Sequence, residues 1–261
     1  MPGSLELTRG PVARLALNRP ERRNALSLAL MREMLEALDT VAADPDARVL
    51  VISGNGPAFS AGHDLAEMQA ASGVEGSAGF YEELFSTCVR LMTRLHEIPQ
   101  PVIARVHGVA TAAGCQLVAA CDLAIAAADA RFATPGVNIG LFCSTPMVPV
   151  ARSIGRKRAL EMLFTGEMID AATALDWGLV NRVVEPDRLD AAVDELALRI
   201  ASASGYVLGL GKRAFYGQDQ LPEGAAYDIA CPVMVDNAQA ADAYEGMTAF
   251  LEKRAPTWPS R

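Results

Sequence analysis

Phe59-Ser-Ala-Gly-His-Asp-Leu65 and Thr111-Ala-Ala-Gly-Cys-Gln-Leu117 decide how this chain is read. Both are turns of small residues, well separated in a chain of 261. Ala61 and Gly62 in the first leave the backbone open to close approach by a ligand. The second opens a helix, whose first N–H groups lack intrahelical partners and sit at the positive end of the dipole. Two such turns brought together aim a pair of main-chain donors at one carbonyl oxygen. That arrangement stabilises an oxyanion more than its neutral precursor. Each turn also has a plainer reading. The first is an ordinary turn capped by Asp64; the second is tight helix–sheet packing.

The segments around these turns read as alternating strands and helices. Residues 12–18 alternate like a strand. Ser27 is placed to cap a helix running to 43, with Leu30, Met31, Met34, Leu35, Leu38 and Val41 on one face. Residues 48–53 are nearly continuously apolar, as in a strand covered on both sides. A helix over 80–96 stops at Pro99 and Pro101, and strands are expected at 102–106, 123–127 and 131–133. A buried helix is expected at 112–120. Residues 71–79, rich in Gly, Ser and Ala, read as mobile. From Pro146 onward the pattern is mostly helical. The order predicts one α/β domain, with a core over 1–200 and a helical appendage over 201–261.

Composition narrows the function. Hydrophobic residues make up 51%, enough for a sizeable core, and the net charge is −8. Such an acidic chain is a poor partner for nucleic acid or anionic membranes. Five cysteines without CxxC spacing and three histidines argue against zinc, and predict reduced thiols in the cytoplasm. No secretory signal or spanning segment is read. Neither a P-loop, nor a dinucleotide fingerprint, nor a GxSxG elbow occurs.

His63 is the side chain best suited to move a proton, since imidazole titrates near neutrality. A loop histidine also serves in packing, and both readings stand. Cys143 is either a nucleophile or a small residue lining a pocket. Asp64 and Glu67 face the candidate cleft without a carboxylate partner nearby in sequence. His96, His107 and Asp122 read as structural.

Further stretches complete a resemblance. They are Leu15-Ala-Leu-Asn-Arg-Pro-Glu-Arg-Arg-Asn-Ala-Leu26, Phe132-Ala-Thr-Pro-Gly136, Leu163-Phe-Thr-Gly166, Ala174-Leu-Asp-Trp-Gly-Leu-Val180 and Phe250-Leu-Glu-Lys-Arg254. With the two turns, and in this order, they resemble the crotonase (enoyl-CoA hydratase/isomerase) superfamily over nearly the whole chain. The resemblance implies a ββα spiral core with C-terminal helices that build a homotrimer, or a hexamer as a dimer of trimers. It implies an acyl-CoA thioester as ligand, with coenzyme A carried by the substrate and no other cofactor or metal. The oxyanion donors fall on the backbone N–H groups of His63 and Ala113. Arg23, Ala25, Leu26, Ala61, His63, Asp64, Leu65, Val109, Pro135 and Ile139 fall where the thioester is bound. Phe250 and Lys253 fall where the nucleotide end meets a neighbouring subunit.

The departures are in the proton chemistry. The two positions at which hydratases of this family carry glutamates hold Gln116 and Gly136. Neither shuttles a proton near pH 7, and losing acid–base help costs roughly 10²–10⁴ in rate per group. Residues 112–117 together with 132–146 resemble the branch called enoyl-CoA hydratase domain-containing protein 3. Ser-Ala-Gly-His-Asp also resembles the loop of methylmalonyl-CoA decarboxylase, with Cys143 where that enzyme has a tyrosine. The leading expectation is an acyl-CoA-binding enzyme that stabilises a thioester enolate with a backbone oxyanion hole. The alternatives are a non-catalytic acyl-CoA binder and a malonyl-type decarboxylase. Installing Glu at both 116 and 136 is expected to restore hydration if the scaffold is otherwise intact.

Overall fold

Strict alternation of buried and half-buried residues makes β2 (Val12–Leu17) an edge-adjacent strand, hairpin-paired with β1 (Leu5–Thr8). The computed structural model describes residues 3–259. A 3₁₀ turn, Pro20–Arg22, leads to α1 (Leu28–Ala42), where Ser27 accepts from the Leu30 N–H at 3.2 Å. The chain continues through β3 (Val49–Gly54), α2 (Leu65–Ala71), α3 (Ser77–Glu97), β4 (Val102–Val106), β5 (Val109–Thr111) and α4 (Ala113–Ala120). Next come β6 (Leu123–Ala127), β7 (Arg131–Ala133), a 3₁₀ turn at Pro135–Ile139, α5 (Met147–Ile154), α6 (Arg156–Thr165) and β8 (Ile169–Asp170). Then follow α7 (Ala171–Trp177), β9 (Arg182–Val184), a 3₁₀ turn at Pro186–Arg188, α8 (Leu189–Ala201), α9 (Gly205–Gln218), α10 (Glu223–Ala238) and α11 (Ala241–Glu252).

The strands form two sheets. The larger runs β1-β2-β3-β4-β6-β9, parallel except for the β1–β2 hairpin. The smaller runs β5-β7-β8. Successive side chains of a strand point to opposite faces, so the larger sheet builds two cores. Leu50, Ile52 and Ala104 pack with α1, α3 and α4. Val49, Val51, Ile103 and Ile125 pack against Leu189, Val193 and Ala197 of α8. This explains the nearly unbroken apolar run at 48–53. The smaller sheet carries the turn that opens α4, and so positions the candidate site.

A buried polar pin docks α9. The Lys212 ammonium lies 2.7 Å from Asp122 Oδ2 and donates to the carbonyls of Leu95 (2.6 Å) and Gln100 (2.8 Å). Tyr216 donates to Asp122 Oδ1 at 2.6 Å and stacks on His96, whose Nε2 lies 2.9 Å from the Ala120 carbonyl. His96 and Asp122 are therefore structural, as expected. Residues 77–79, read as part of a mobile stretch, form the first turn of α3.

Candidate active site

The loop leading to Asp64 is sewn down on two sides. The Leu26 N–H donates to the Gly62 carbonyl (2.7 Å), and the Asp64 N–H donates to the Leu26 carbonyl (3.2 Å). Together they form a parallel bridge between Leu26 and His63. The Ser60 N–H donates to the Val109 carbonyl (3.1 Å), and the Thr111 N–H donates to the Ser60 carbonyl (3.0 Å), bridging Ser60 to Ala110. A parallel pair uses the flanking groups of one residue, which turns that residue's own N–H away. The His63 N–H is left in this position, and no group among the described residues accepts from it.

The second donor is set by strain. Ala112 has φ 50° and ψ −119°, while its own N–H is held by the Ala133 carbonyl at 2.9 Å. Positive φ in a non-glycine residue costs about 1–3 kcal/mol; here it fixes the plane of the Ala112–Ala113 peptide. Ala113 is fully buried and its N–H has no acceptor among the described residues. The two loops touch main chain to main chain. A Cβ on Gly62 would lie 2.8 Å from the Thr111 carbonyl oxygen and 3.1 Å from the Ala113 nitrogen; one on Gly114 would overlap the Ser60 carbonyl oxygen. An unmatched buried donor costs about 1–3 kcal/mol, so this geometry favours an outside acceptor.

Asn24 locks the arrangement. It sits at φ 53°, and its side chain accepts from the Arg19 N–H (2.9 Å) and donates to the carbonyls of Asn55 (2.9 Å) and Ala58 (2.8 Å). Its own carbonyl accepts from Ser60 Oγ at 2.9 Å. Arg19 joins the Ala25 carbonyl (2.7 Å) to Asp64 (3.0 Å). Locally, Asn18-Arg19-Pro20 and Arg22-Arg23-Asn24 have the composition of a polar turn. Their offset from Pro20 was visible, but not their distant main-chain partners.

Asp64 caps α2, accepting from Ala66 and Glu67 N–H groups. Burial pushes its carboxyl up, yet the Arg19 guanidinium and these backbone donors hold it below the usual range. Glu67 accepts from the Leu28 N–H at 3.0 Å, at the start of α1. Both carboxylates are held by donors within the chain, Asp64 by Arg19 and its cap and Glu67 by the Leu28 N–H.

His63 and Gln116 share one wall. The imidazole meets Phe85 edge-on, with centroids 5.5 Å apart, and Gln116 Oε1 lies 3.7 Å from Cys88 Sγ. Phe85 and Cys88 are neighbours on α3, three residues apart in sequence. Burial lowers the His63 pKa, against a weaker opposing contact with the Leu26 carbonyl, so the ring is held neutral.

Gly136 is filled from outside. A Cβ there would overlap the Leu141 carbonyl oxygen and come within 2.8 Å of Cys143 Sγ. The expectation that glutamate at both 116 and 136 restores hydration supposed an otherwise intact scaffold, and at 136 that condition fails because the carbonyl of Leu141 occupies the first atom's place. Burial raises the Cys143 pKa, with the Gly136 backbone acting the other way. Burial therefore favours the protonated thiol, and a small buried side chain is the other reading given to Cys143. Thr134, fully buried on the same turn, has a hydroxyl without a partner among the described residues.

Ala25 and Leu26 are buried beside the loop, while Leu65 and Ile139 are more than half exposed. Val109 lies in β5, and Pro135 opens the 3₁₀ turn that holds Gly136. Arg23 has φ 49° and accepts from the Ala61 N–H through its carbonyl. Phe250, 83% exposed, and Lys253 lie on and just after α11; no hydrogen bond or ion pair among the described residues ties them to the loop.

A family model described as enoyl-CoA hydratase/isomerase matches residues 8–261. The chain belongs to that family. It is 47% identical over 247 residues to human enoyl-CoA hydratase domain-containing protein 3, mitochondrial, covering 95% of this chain and 80% of that protein. The crystal structure of the human protein matches with a TM-score of 0.94 at 45% identity, over 98% of this chain and 100% of that one. An enoyl-CoA hydratase from Mycobacterium smegmatis matches with a TM-score of 0.94 at 47% identity, over 98% and 99% of the two chains. The resemblance to the family and to the branch is thus borne out, and the crotonase fold with it.

The expectation of a cytoplasmic setting is overturned. The Xenopus, rat and human relatives of the branch are all named as mitochondrial. Unpaired cysteines fit a reducing milieu, which does not specify a compartment. All five cysteines are free, and among the described residues no helix is long and apolar enough to cross a membrane.

Proposed function

We propose that this protein is an acyl-CoA thioester-binding enzyme whose His63 and Ala113 N–H groups grip the thioester oxygen and stabilise an enolate. The unmatched, buried Ala113 N–H beside the freed His63 N–H carries the reading. Donors already in place need no reorganisation as charge develops. His63 Nε2 is the acceptor available for a proton, and Gln116 orients substrate or water. Coenzyme A arrives with the substrate, its phosphates meeting Arg22 and Arg23; no other cofactor is required. Hydration by a carboxylate pair does not operate here, because Gln116 and Gly136 supply none.

A trimer built through the C-terminal helices completes the proposal, with Phe250 and Lys253 serving a neighbour's nucleotide end. Its support is α10, which has no buried residue although Tyr227, Met234 and Val235 are apolar and exposed, and α11, where Tyr244, Met247, Phe250 and Leu251 are exposed. Patches of that kind mark interaction surfaces.

A chromophoric cinnamoyl-type CoA thioester tests the oxyanion hole. Polarising its carbonyl red-shifts absorption, so a red shift on binding is expected. Binding without a shift refutes the proposal. A non-catalytic binder is favoured by the absent carboxylates; it gives the red shift but no solvent deuterium exchange into the α-position of butyryl-CoA.

A further inference from the structure

A cavity of about 320 Å³ opens at the end of the larger sheet away from the oxyanion loops. Arg48 and Gln100 line it, one just before β3 and the other just before β4. These strands run parallel, and the loops carrying His63 and Ala113 follow their far ends. The five residue steps of β3 separate the two ends by about 17 Å. The end of α1 and the first turns of α9 complete the walls.

The walls differ in sign. On one side, Arg48 and Arg213 line the cavity without an ion pair or side-chain hydrogen bond among the described residues. The Arg48 guanidinium lies over the start of α9, where a Cβ on Gly205 would overlap its Nη1. The N–H groups of Gly205 and Tyr206 have no acceptor among the described residues, since the Ser204 cap serves Val207. They stand at the positive end of the helix dipole. On the other side, the carbonyls of Ala42 and Ala43 at the end of α1 accept from no described residue. Asp44 adds a carboxylate, with Oδ2 3.4 Å from Arg9 Nε and Oδ1 accepting from the Asp46 N–H at 3.0 Å. Gln100 is only 5% exposed. Its Nε2 donates to the Val41 carbonyl at 2.9 Å, while Oε1 has no partner among the described residues. A buried acceptor left unmatched favours an incoming donor.

A ligand that fits both walls is an anion at one end and a hydrogen-bond donor at the other. Two guanidiniums suit a phosphate, whose oxygens take their forked donors in pairs, and free N–H groups at a helix start add to the same end. Hydroxyls suit the acceptor wall. An ammonium there would face both arginines across a cavity this small, and a bare phosphate would leave that wall unmet.

We propose that this cavity binds a phosphorylated polyol, with the phosphate held by Arg48, Arg213 and the first N–H groups of α9, and the hydroxyls turned to Asp44, Gln100 and the end of α1. The site is separate from the thioester site and does not depend on that reading. Occupancy ties the end of α1 to the start of α9.

Titration calorimetry of the full chain with glycerol 3-phosphate as probe, beside inorganic phosphate and glycerol, tests this. Saturable binding of glycerol 3-phosphate is expected, about fivefold tighter than phosphate for one net neutral hydrogen bond, and none of glycerol alone. Arg48→Gln and Arg213→Gln should each weaken it about tenfold, the effect of one charge-assisted contact. Both side chains are free of partners, so the variants should keep the wild-type unfolding midpoint. Hydrogen exchange in the wild-type protein should slow at the start of α9 when the probe is added. Absence of saturable binding overturns the site, and equal affinities for phosphate and glycerol 3-phosphate overturn the polyol assignment. Binding that survives both variants, or that leaves exchange in α9 unchanged, belongs elsewhere on the protein and overturns the proposal as well.

Discussion

Gly136 offers the sharpest test of how this site differs from a carboxylate-bearing one. Its φ is not in the left-handed region, so a substitution there is opposed by space and not by dihedral preference. In Gly136→Ala the added carbon would overlap the Leu141 carbonyl oxygen and press on Cys143 Sγ at 2.8 Å. The obstructing oxygen is main chain, so relief requires the 136–141 turn to open. That movement breaks the 2.9 Å hydrogen bond from the Leu141 N–H to the Gly136 carbonyl. Overpacking costs about 1–3 kcal/mol and the lost bond about 1 kcal/mol. The sum is a destabilisation of about 2–4 kcal/mol, measurable as a lower midpoint in urea unfolding. Gly136→Glu carries at least the same cost and gains no crotonyl-CoA hydration, alone or with Gln116→Glu. A Gly136→Glu protein of wild-type stability that hydrates crotonyl-CoA would refute the reasoning, for it would show that the Leu141 carbonyl yields freely.

Other outcomes follow from the same geometry. Lys212→Met leaves Asp122 without its cation and two carbonyls without their donor; a loss of about 3–5 kcal/mol should show as faster hydrogen exchange in α9. Asn24→Ala removes three side-chain bonds from a residue at φ 53°; binding of butyryl-CoA should weaken together with stability, read by calorimetry and urea unfolding. His63 and His96 both have pKa values lowered by burial. The unfolded chain then binds more protons, so their contribution is complete above the unfolded value of about 6.5 and is lost as pH falls through the folded values. Unfolding midpoints measured from pH 8 to pH 5 should fall with acidity, and His63→Leu should flatten that slope in part. Met234→Asp on α10 should yield a smaller species by light scattering if that face is covered by another copy.

Much of the frame was legible because its signals are local. β4, β6 and β7 stand where apolar runs between punctuating residues placed them, and Ser27 caps α1 as its position foretold. β5 was hidden because Val109–Thr111 is too short to display alternation and merges into the turn before α4. The donor residues were readable by resemblance, but their freedom depends on two bridges to distant segments. The filled space at Gly136 was not readable at all. Nothing in Pro135-Gly136 announces that the Leu141 carbonyl folds back over it. The partner of Glu67, the Leu28 N–H, was unreadable for a similar reason, since it lies far away in sequence.

The strained Ala112 peptide and the Leu26–His63 bridge place the proposed grip in atoms that every amino acid shares. Codon changes at 63 and 113 alter side chains but leave a main-chain N–H standing, proline excepted. Side chains such as those at 116 and 136 have no such protection. A scaffold divided in this way is free to exchange one reaction for another through single substitutions while continuing to hold the same handle of its ligand. Absence of a carboxylate at 116 and 136 leaves the proposed main-chain grip untouched.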